Sequence, residues 1–302
     1  MNKIQRKIDK INSKYKLKFF PKSHKYRYKK GKVMQTLDRL KMLIQRNGGF
    51  VNAHAHFDRA YTAQTSDFES NNVNAHLFEK WELVNQFKSN ASEERYYNHI
   101  SEAIYNQIKM GVTAGLSFID CDPVSEQRAL DAALRAKKDW SDQFTLKIAC
   151  QTLQGVLEKE PREWFINNAS YFDVIGGLPR KDEGREAEHI DLLMQVAKEN
   201  NQRVHVHVDQ LNCVTEKETE LLARKTMEHG MEGRVTAVHS ISLAAHPKKY
   251  RDEVYKMCLD AGLSFVSCPT AWIDHRRNET LSVNHNAVTP IDEMVPLGIP
   301  VA

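Results

Sequence analysis

Phe50-Val-Asn-Ala-His-Ala-His56 is the stretch that decides the fold. In an extended segment, residues two apart point to the same side, so His54 and His56 present their imidazoles together. Val204-His-Val-His-Val208 carries a second pair, His205 and His207, and Arg234-Val-Thr-Ala-Val-His239 closes on a single histidine. Three apolar runs, each closing on histidine, read as three strand ends that deliver ligand-type side chains to one place. His205 comes two residues before His207, hence deeper along its strand, and reads as a core residue or as support behind the ligands rather than as a ligand.

Working outward, short β-rich runs alternate with helical stretches. The runs at 50–55, 113–120, 144–150, 172–178, 203–209, 234–240, 263–269 and 299–302 are expected strands. Helices are expected at 125–138, 186–200, 215–230 and 248–261; Ile190, Leu193, Met194 and Ala197 keep helical spacing in the second. Gly111, Gly230 and Gly262 stand where helices should stop. The Gly176-Gly177 pair is read as a bend at a strand end. Alternating β and α units imply parallel strands with right-handed crossovers, and eight of them imply an α/β fold, a (β/α)8 TIM-type barrel with its site at the strands' C-terminal ends. The polar stretch 57–98 is expected as loop and helix over that site, and 270–290 as a second long loop on the same face.

With 302 residues, 41% hydrophobic and 27% charged, the chain suits one barrel of soluble composition. No apolar stretch approaches the roughly 18 residues of a membrane span. The basic N-terminus has no apolar signal region, and the five scattered cysteines form no C-x-x-C pair, so a reducing, cytoplasmic location is expected. The net charge of +4 is uneven: residues 1–46 hold 16 Lys/Arg against Asp9 and Asp38. Two domains are expected, a basic, partly helical extension (1–46) and a barrel (47–302). No nucleic-acid motif accompanies the basic charge, so nucleic acid is not an expected partner.

A divalent ion on histidines lowers the pKa of bound water and polarises an sp2 carbon. His54, His56 and His207 are candidate ligands, with His239 a ligand or a hydrogen-bond partner of the nucleophile. Asp58, Asp120 and Asp209, near strand ends, are candidates to orient the imidazoles. His24, His76, His99, His189, His229, His246, His275 and His285 read as surface or loop residues. There is no H-E-x-x-H, no P-C-x-x-C, no G-x-S-x-G and no phosphate-binding glycine loop.

Asn52-Ala-His-Ala-His-Phe-Asp58, the later strand-five and strand-six histidines, Gln154-Gly155, Val174-Ile-Gly-Gly-Leu-Pro179, Val206-His-Val-Asp209 and Gly262-Leu-Ser-Phe-Val-Ser-Cys-Pro-Thr270 together resemble the amidohydrolase superfamily, in its cytosine deaminase-like branch. The resemblance covers roughly residues 49–302. It implies one divalent metal ion, zinc or iron, on His54, His56 and His207; His239 on the nucleophile or the substrate oxygen; and Gln154 on the substrate's amide edge. No lysine stands at a strand end to bridge a second metal. The implied activity is hydrolysis of a non-peptide C–N bond in a small cyclic amide or amidine, by attack of metal-bound hydroxide.

Three departures qualify the likeness. Gln210 stands where the deaminases place a proton-shuttling glutamate, and an amide cannot take up or release that proton. The family's strand-eight aspartate is not reached by Leu297-Gly-Ile-Pro-Val-Ala302, so a barrel cut short at strand eight, part of a longer product, is expected. The family's flanking β-sandwich has no counterpart in the basic arm. The alternative is a non-catalytic relative that binds a ligand or partner. The expected partner is a small-molecule substrate, and a homo-oligomer is left open.

Overall fold

Among the described residues, seven of the apolar runs form parallel strands that neighbour one another in chain order. The computed structural model describes residues 36–62, 77–151, 153–269 and 288–302. Most of the basic arm, the middle of 57–98 and most of 270–290 lie outside them, as do His24, His76, His275 and His285.

In order the elements are α1 (Thr36–Arg46), β1 (Phe50–Ala55), α2 (Leu77–Asn90), α3 (Glu93–Lys109), β2 (Val112–Asp120), α4 (Arg128–Asp139), β3 (Thr145–Gln151) and α5 (Lys159–Asn168). There follow β4 (Val174–Gly177), α6 (Glu186–Glu199), β5 (Arg203–Val208), α7 (Glu218–Glu228), β6 (Val235–His239), α8 (Lys248–Asp260), β7 (Ser264–Val266) and the short α9 (Ile291–Met294). All six strand pairings are parallel. The expected eighth strand contributes one parallel bridge, Val301 to Phe265. The result is a nearly closed barrel with surrounding helices, an incomplete (β/α)8 fold.

The chemistry of each run explains its place. Every residue of β6, Val-Thr-Ala-Val-His, is buried, as a parallel strand covered on both faces requires. On β2, Leu116 and Phe118 share a small buried cluster with Ala149 and Val174, while Ile119 joins the larger core under the helices. That split follows from the period of two. α3 buries Tyr96, Ile100, Ala103 and Ile104, a helical stripe, and begins where the Ser92 hydroxyl accepts the Arg95 N–H at 3.2 Å. The expected helix at 125–138 starts later, at Arg128. Asp122 accepts the N–H groups of Val124 and Ser125 at 3.0 Å each, which holds that segment as a turn.

Gly176 and Gly177 correct an expectation. They lie inside β4, where a Cβ on Gly176 would stand 1.8 Å from the Cys150 carbonyl oxygen and one on Gly177 would stand 2.1 Å from Leu193. Glycine there permits close approach of β3 and α6, not a bend. Gly176→Ala is therefore expected to destabilise the chain by about 3 kcal/mol, through overpacking against backbone. Gly184→Ala, where added bulk meets nothing and only the φ of +79° resists, should cost about 1 kcal/mol. Urea unfolding of both variants checks the order; equal losses would contradict it.

Candidate metal centre

The ends of β1, β5 and β6 bring four imidazoles together. Ring centroids lie 5.0 Å apart for His54 and His56, 4.8 Å for His54 and His207, 5.6 Å for His54 and His239, and 5.3 Å for His207 and His239. Phe118 from β2 floors the group, 4.5 Å from His207 and 4.9 Å from His54. Burial pushes the His54 imidazole well below its ordinary pKa, with His207 and His56 adding to the effect. Burial acts likewise on His56, followed by the charge of Arg59, and on His207, followed by His239. Burial alone takes His239 down to about 4. Near neutral pH all four rings are uncharged and offer lone pairs.

The hydrogen bonds set the direction of one lone pair. His207 Nδ1 lies 3.1 Å from the Gly177 carbonyl oxygen, which can only accept, so the proton resides on Nδ1. Nε2 is then an acceptor; it is buried and has no partner among the described residues. A buried acceptor left without a donor costs free energy unless something else satisfies it. Donor atoms of His54, His56 and His207 all lie within 4.8 Å of one another. A divalent cation fits this set of neutral imidazoles.

A cavity of about 790 Å³ opens over the histidines, lined among others by Trp81, Gln151, Leu178, Gln210 and Cys268. This is within the usual size for a small-ligand site. Gln210, just past the left-handed Asp209 (φ 52°), lines it. Gln154 does not; its amide donates to Asn85 Oδ1 at 3.0 Å. Gln151, which sequence reasoning passed over, does line the cavity, and its buried Oε1 has no partner among the described residues. Its place as the last residue of β3 was the signal. His205 lies outside the lining, and burial holds it at about 4.

The three aspartates do not orient the rings. Asp58 accepts the Asp120 N–H at 3.0 Å, and Asp120 takes the Arg59 guanidinium at 2.7 Å. Lys88 of α2, fully buried, pairs with Asp122 and stands 3.7 Å from Asp120. Asp209 accepts the N–H groups of Glu218 and Thr219 at 2.8 and 3.2 Å, tying the end of β5 to the start of α7. Two of the surface histidines are also corrected. His189 is fully buried between Asp182, 2.6 Å from Nδ1, and the Leu178 N–H, which donates to Nε2 at 3.2 Å. His246 is buried 2.7 Å from the Glu216 carbonyl oxygen. Both sit where a loop or helix folds back over a strand end, which local polarity does not reveal.

Behind β5, Asp209, Glu216 and Glu218 are buried together. Burial and then the charge of Asp209 push Glu216 up to about 7, although Ser242 and the Leu211 N–H donate to it. A carboxyl with a raised folded-state pKa binds more protons folded than unfolded. Stability is therefore expected to fall as pH rises from about 4.5 through about 7. Glu216→Gln should flatten that loss in denaturant titrations; an unchanged slope would contradict the assignment.

No family model matches the chain. It is similar to an uncharacterized protein of Haemophilus influenzae, with 46% identity over 256 residues, 84% of this chain and 92% of the relative. It is also similar to the N-isopropylammelide isopropyl amidohydrolase of Pseudomonas sp. strain ADP, with 27% identity over 226 residues; the match spans 73% of this chain and 56% of that enzyme. The fold matches the crystal structure of 5-methylcytosine deaminase from Klebsiella pneumoniae with a TM-score of 0.76 at 24% identity, over 84% of this chain and 62% of that one. Among the described residues no helix is long and apolar enough to cross a membrane.

Proposed function

The chain belongs to the amidohydrolase superfamily, in its cytosine deaminase-like branch, and from that premise we propose that it is a metal-dependent hydrolase of a non-peptide C–N bond in a small cyclic amide or amidine. The observation that carries this reading is the buried Nε2 of His207, without a partner among the described residues, set among the other strand-end imidazoles. His54, His56 and His207 would hold one divalent ion. When bound, such an ion supplies a Lewis acid and a water of lowered pKa.

The chain's own groups do the rest. Trp81 and Leu178 give the cavity apolar surface against which a flat ring can lie, and the amides of Gln151 and Gln210 can hydrogen-bond a ring's N–C=O edge. His239, neutral and buried, can donate one hydrogen bond to the oxygen where negative charge develops. Among the described residues lining the cavity there is no Asp or Glu, and the Gln210 amide cannot carry a proton. The arrangement suits a substrate whose amine leaves without a glutamate shuttle.

Two experiments test the reading. His207→Ala should lose the bound ion, measured by elemental analysis of purified protein, while its circular dichroism stays native. Full retention of the metal would contradict the ligand assignment. In the second, Gln210→Glu should raise ammonia release from cytosine by about 100-fold or more over wild type. A high and equal rate in both proteins would show that Gln210 does not limit the chemistry. A metal-loaded protein that releases no amine from ring-substituted amino-pyrimidines or amino-triazines would favour the non-catalytic alternative.

A further inference from the structure

The carbonyl of Gly177 and the N–H of Leu178 belong to one peptide group, and a histidine stands at each end of it. The carbonyl accepts from His207 Nδ1 at 3.1 Å, and the N–H donates to His189 Nε2 at 3.2 Å. An Nε2 that accepts leaves the proton of a neutral imidazole on Nδ1, and His189 Nδ1 lies 2.6 Å from Asp182 Oδ2. The bonds therefore run in one direction, each donor pointing away from the strand-five imidazole and towards the carboxylate.

The local chain path closes this line. Leu178 follows β4, and the helical turn Pro179–Asp182 brings the carboxylate back beside the first turn of α6, which carries His189. Asp182 Oδ2 also accepts the Val156 N–H at 2.8 Å, which pins it. His189 is fully buried, and Gly177 leaves room for it: a Cβ there would stand 3.1 Å from His189 Nε2. Burial lowers the His189 pKa against the opposing pull of Asp182, so the ring is neutral near neutral pH. Burial would raise Asp182, but the hydrogen bonds from His189 and the Val156 N–H outweigh it and keep the carboxylate ionised.

Hydrogen bonds of one sense polarise one another, most of all in a low-dielectric interior. The Asp182 charge draws on the His189 proton, His189 draws on the Leu178 N–H, and amide resonance carries the effect to the Gly177 oxygen. We propose that Asp182 and His189 are positioning residues that act through this peptide group on His207, fixing its ring and raising the donor strength of its Nε2. The proposal rests on the histidine centre argued above. Asp58, Asp120 and Asp209 do not orient the strand-end rings; Asp182 does so at two removes.

Zinc added to the metal-free full chain, isotopically labelled on nitrogen, tests this by NMR without an activity assay. A nitrogen–nitrogen scalar coupling between the Leu178 amide and His189 Nε2 reads the middle bond directly. On zinc addition the His189 Nδ1 proton should move downfield, because a cation on His207 Nε2 makes its Nδ1–H a stronger donor and each later bond tightens in turn. No coupling, or a His189 proton indifferent to bound zinc, overturns the relay alone. Zinc that does not bind overturns the histidine centre and the relay with it. Asp182→Asn keeps the side chain's size and removes its charge. It should weaken zinc binding about tenfold and shrink the zinc-induced shift of the Leu178 amide proton, with native circular dichroism. Wild-type affinity and an undiminished shift in the folded variant overturn the proposal, and if the variant does not fold, the wild-type spectra decide.

Discussion

The hydrogen bond from His207 Nδ1 to the Gly177 carbonyl is the contact on which the candidate site depends. It fixes a tautomer, and with it the atom that faces the cavity. It exists only because β4 and β5 run parallel and in register, Gly177 beside Val206. Gly177 in turn must be glycine, because α6 presses Leu193 into the space a side chain would take. Helix packing, strand register and imidazole tautomer are thus one constraint read at three levels.

Around that contact the chain spends polar groups on positioning. Asp209, His239 and Ser240 all adopt left-handed backbone, φ 52°, 75° and 50°, a conformation that side chains of this kind hold only when the surroundings impose it. The surroundings are visible: Ser240 N donates to the Val208 oxygen, Ser242 N to the Asp209 oxygen, and Thr289 Oγ1 to the His239 oxygen. The carboxylate of Asp209 meanwhile secures the first turn of α7. On the opposite side of the ring of strands, Arg59, Lys88, Asp58, Asp120 and Asp122 form a buried network of both signs. Removing one member would leave a buried charge unpaired, which is far more costly than the pair is stabilising. These groups hold strand ends in place, and the histidines inherit their precision from them.

Much of this was legible in the sequence because it follows from period and order. A period of two put His54 beside His56, and alternation of β and α runs put strands one, five and six on one face. Gly111, Gly230 and Gly262 do stop their helices, each with positive φ. What was not legible depends on contacts between distant residues. Nothing near Lys88 announces that its ammonium is buried against Asp122, 34 residues away. Gln151 and Gln154 differ by three positions, yet only the first ends its strand facing the cavity; the second turns to Asn85 on α2. His189 read as a surface or loop residue, whereas its ring is clamped between Asp182 and the Leu178 N–H just past β4.

The central claim is that strand-end imidazoles in this chain exist to hold a metal ion. Anomalous diffraction from crystals of the zinc-loaded protein, collected on either side of the zinc edge, tests it most directly. A single strong peak within bonding distance of His54, His56 and His207 Nε2 is the predicted result. No peak among these histidines at full zinc loading, or one at a different set of residues, would contradict it.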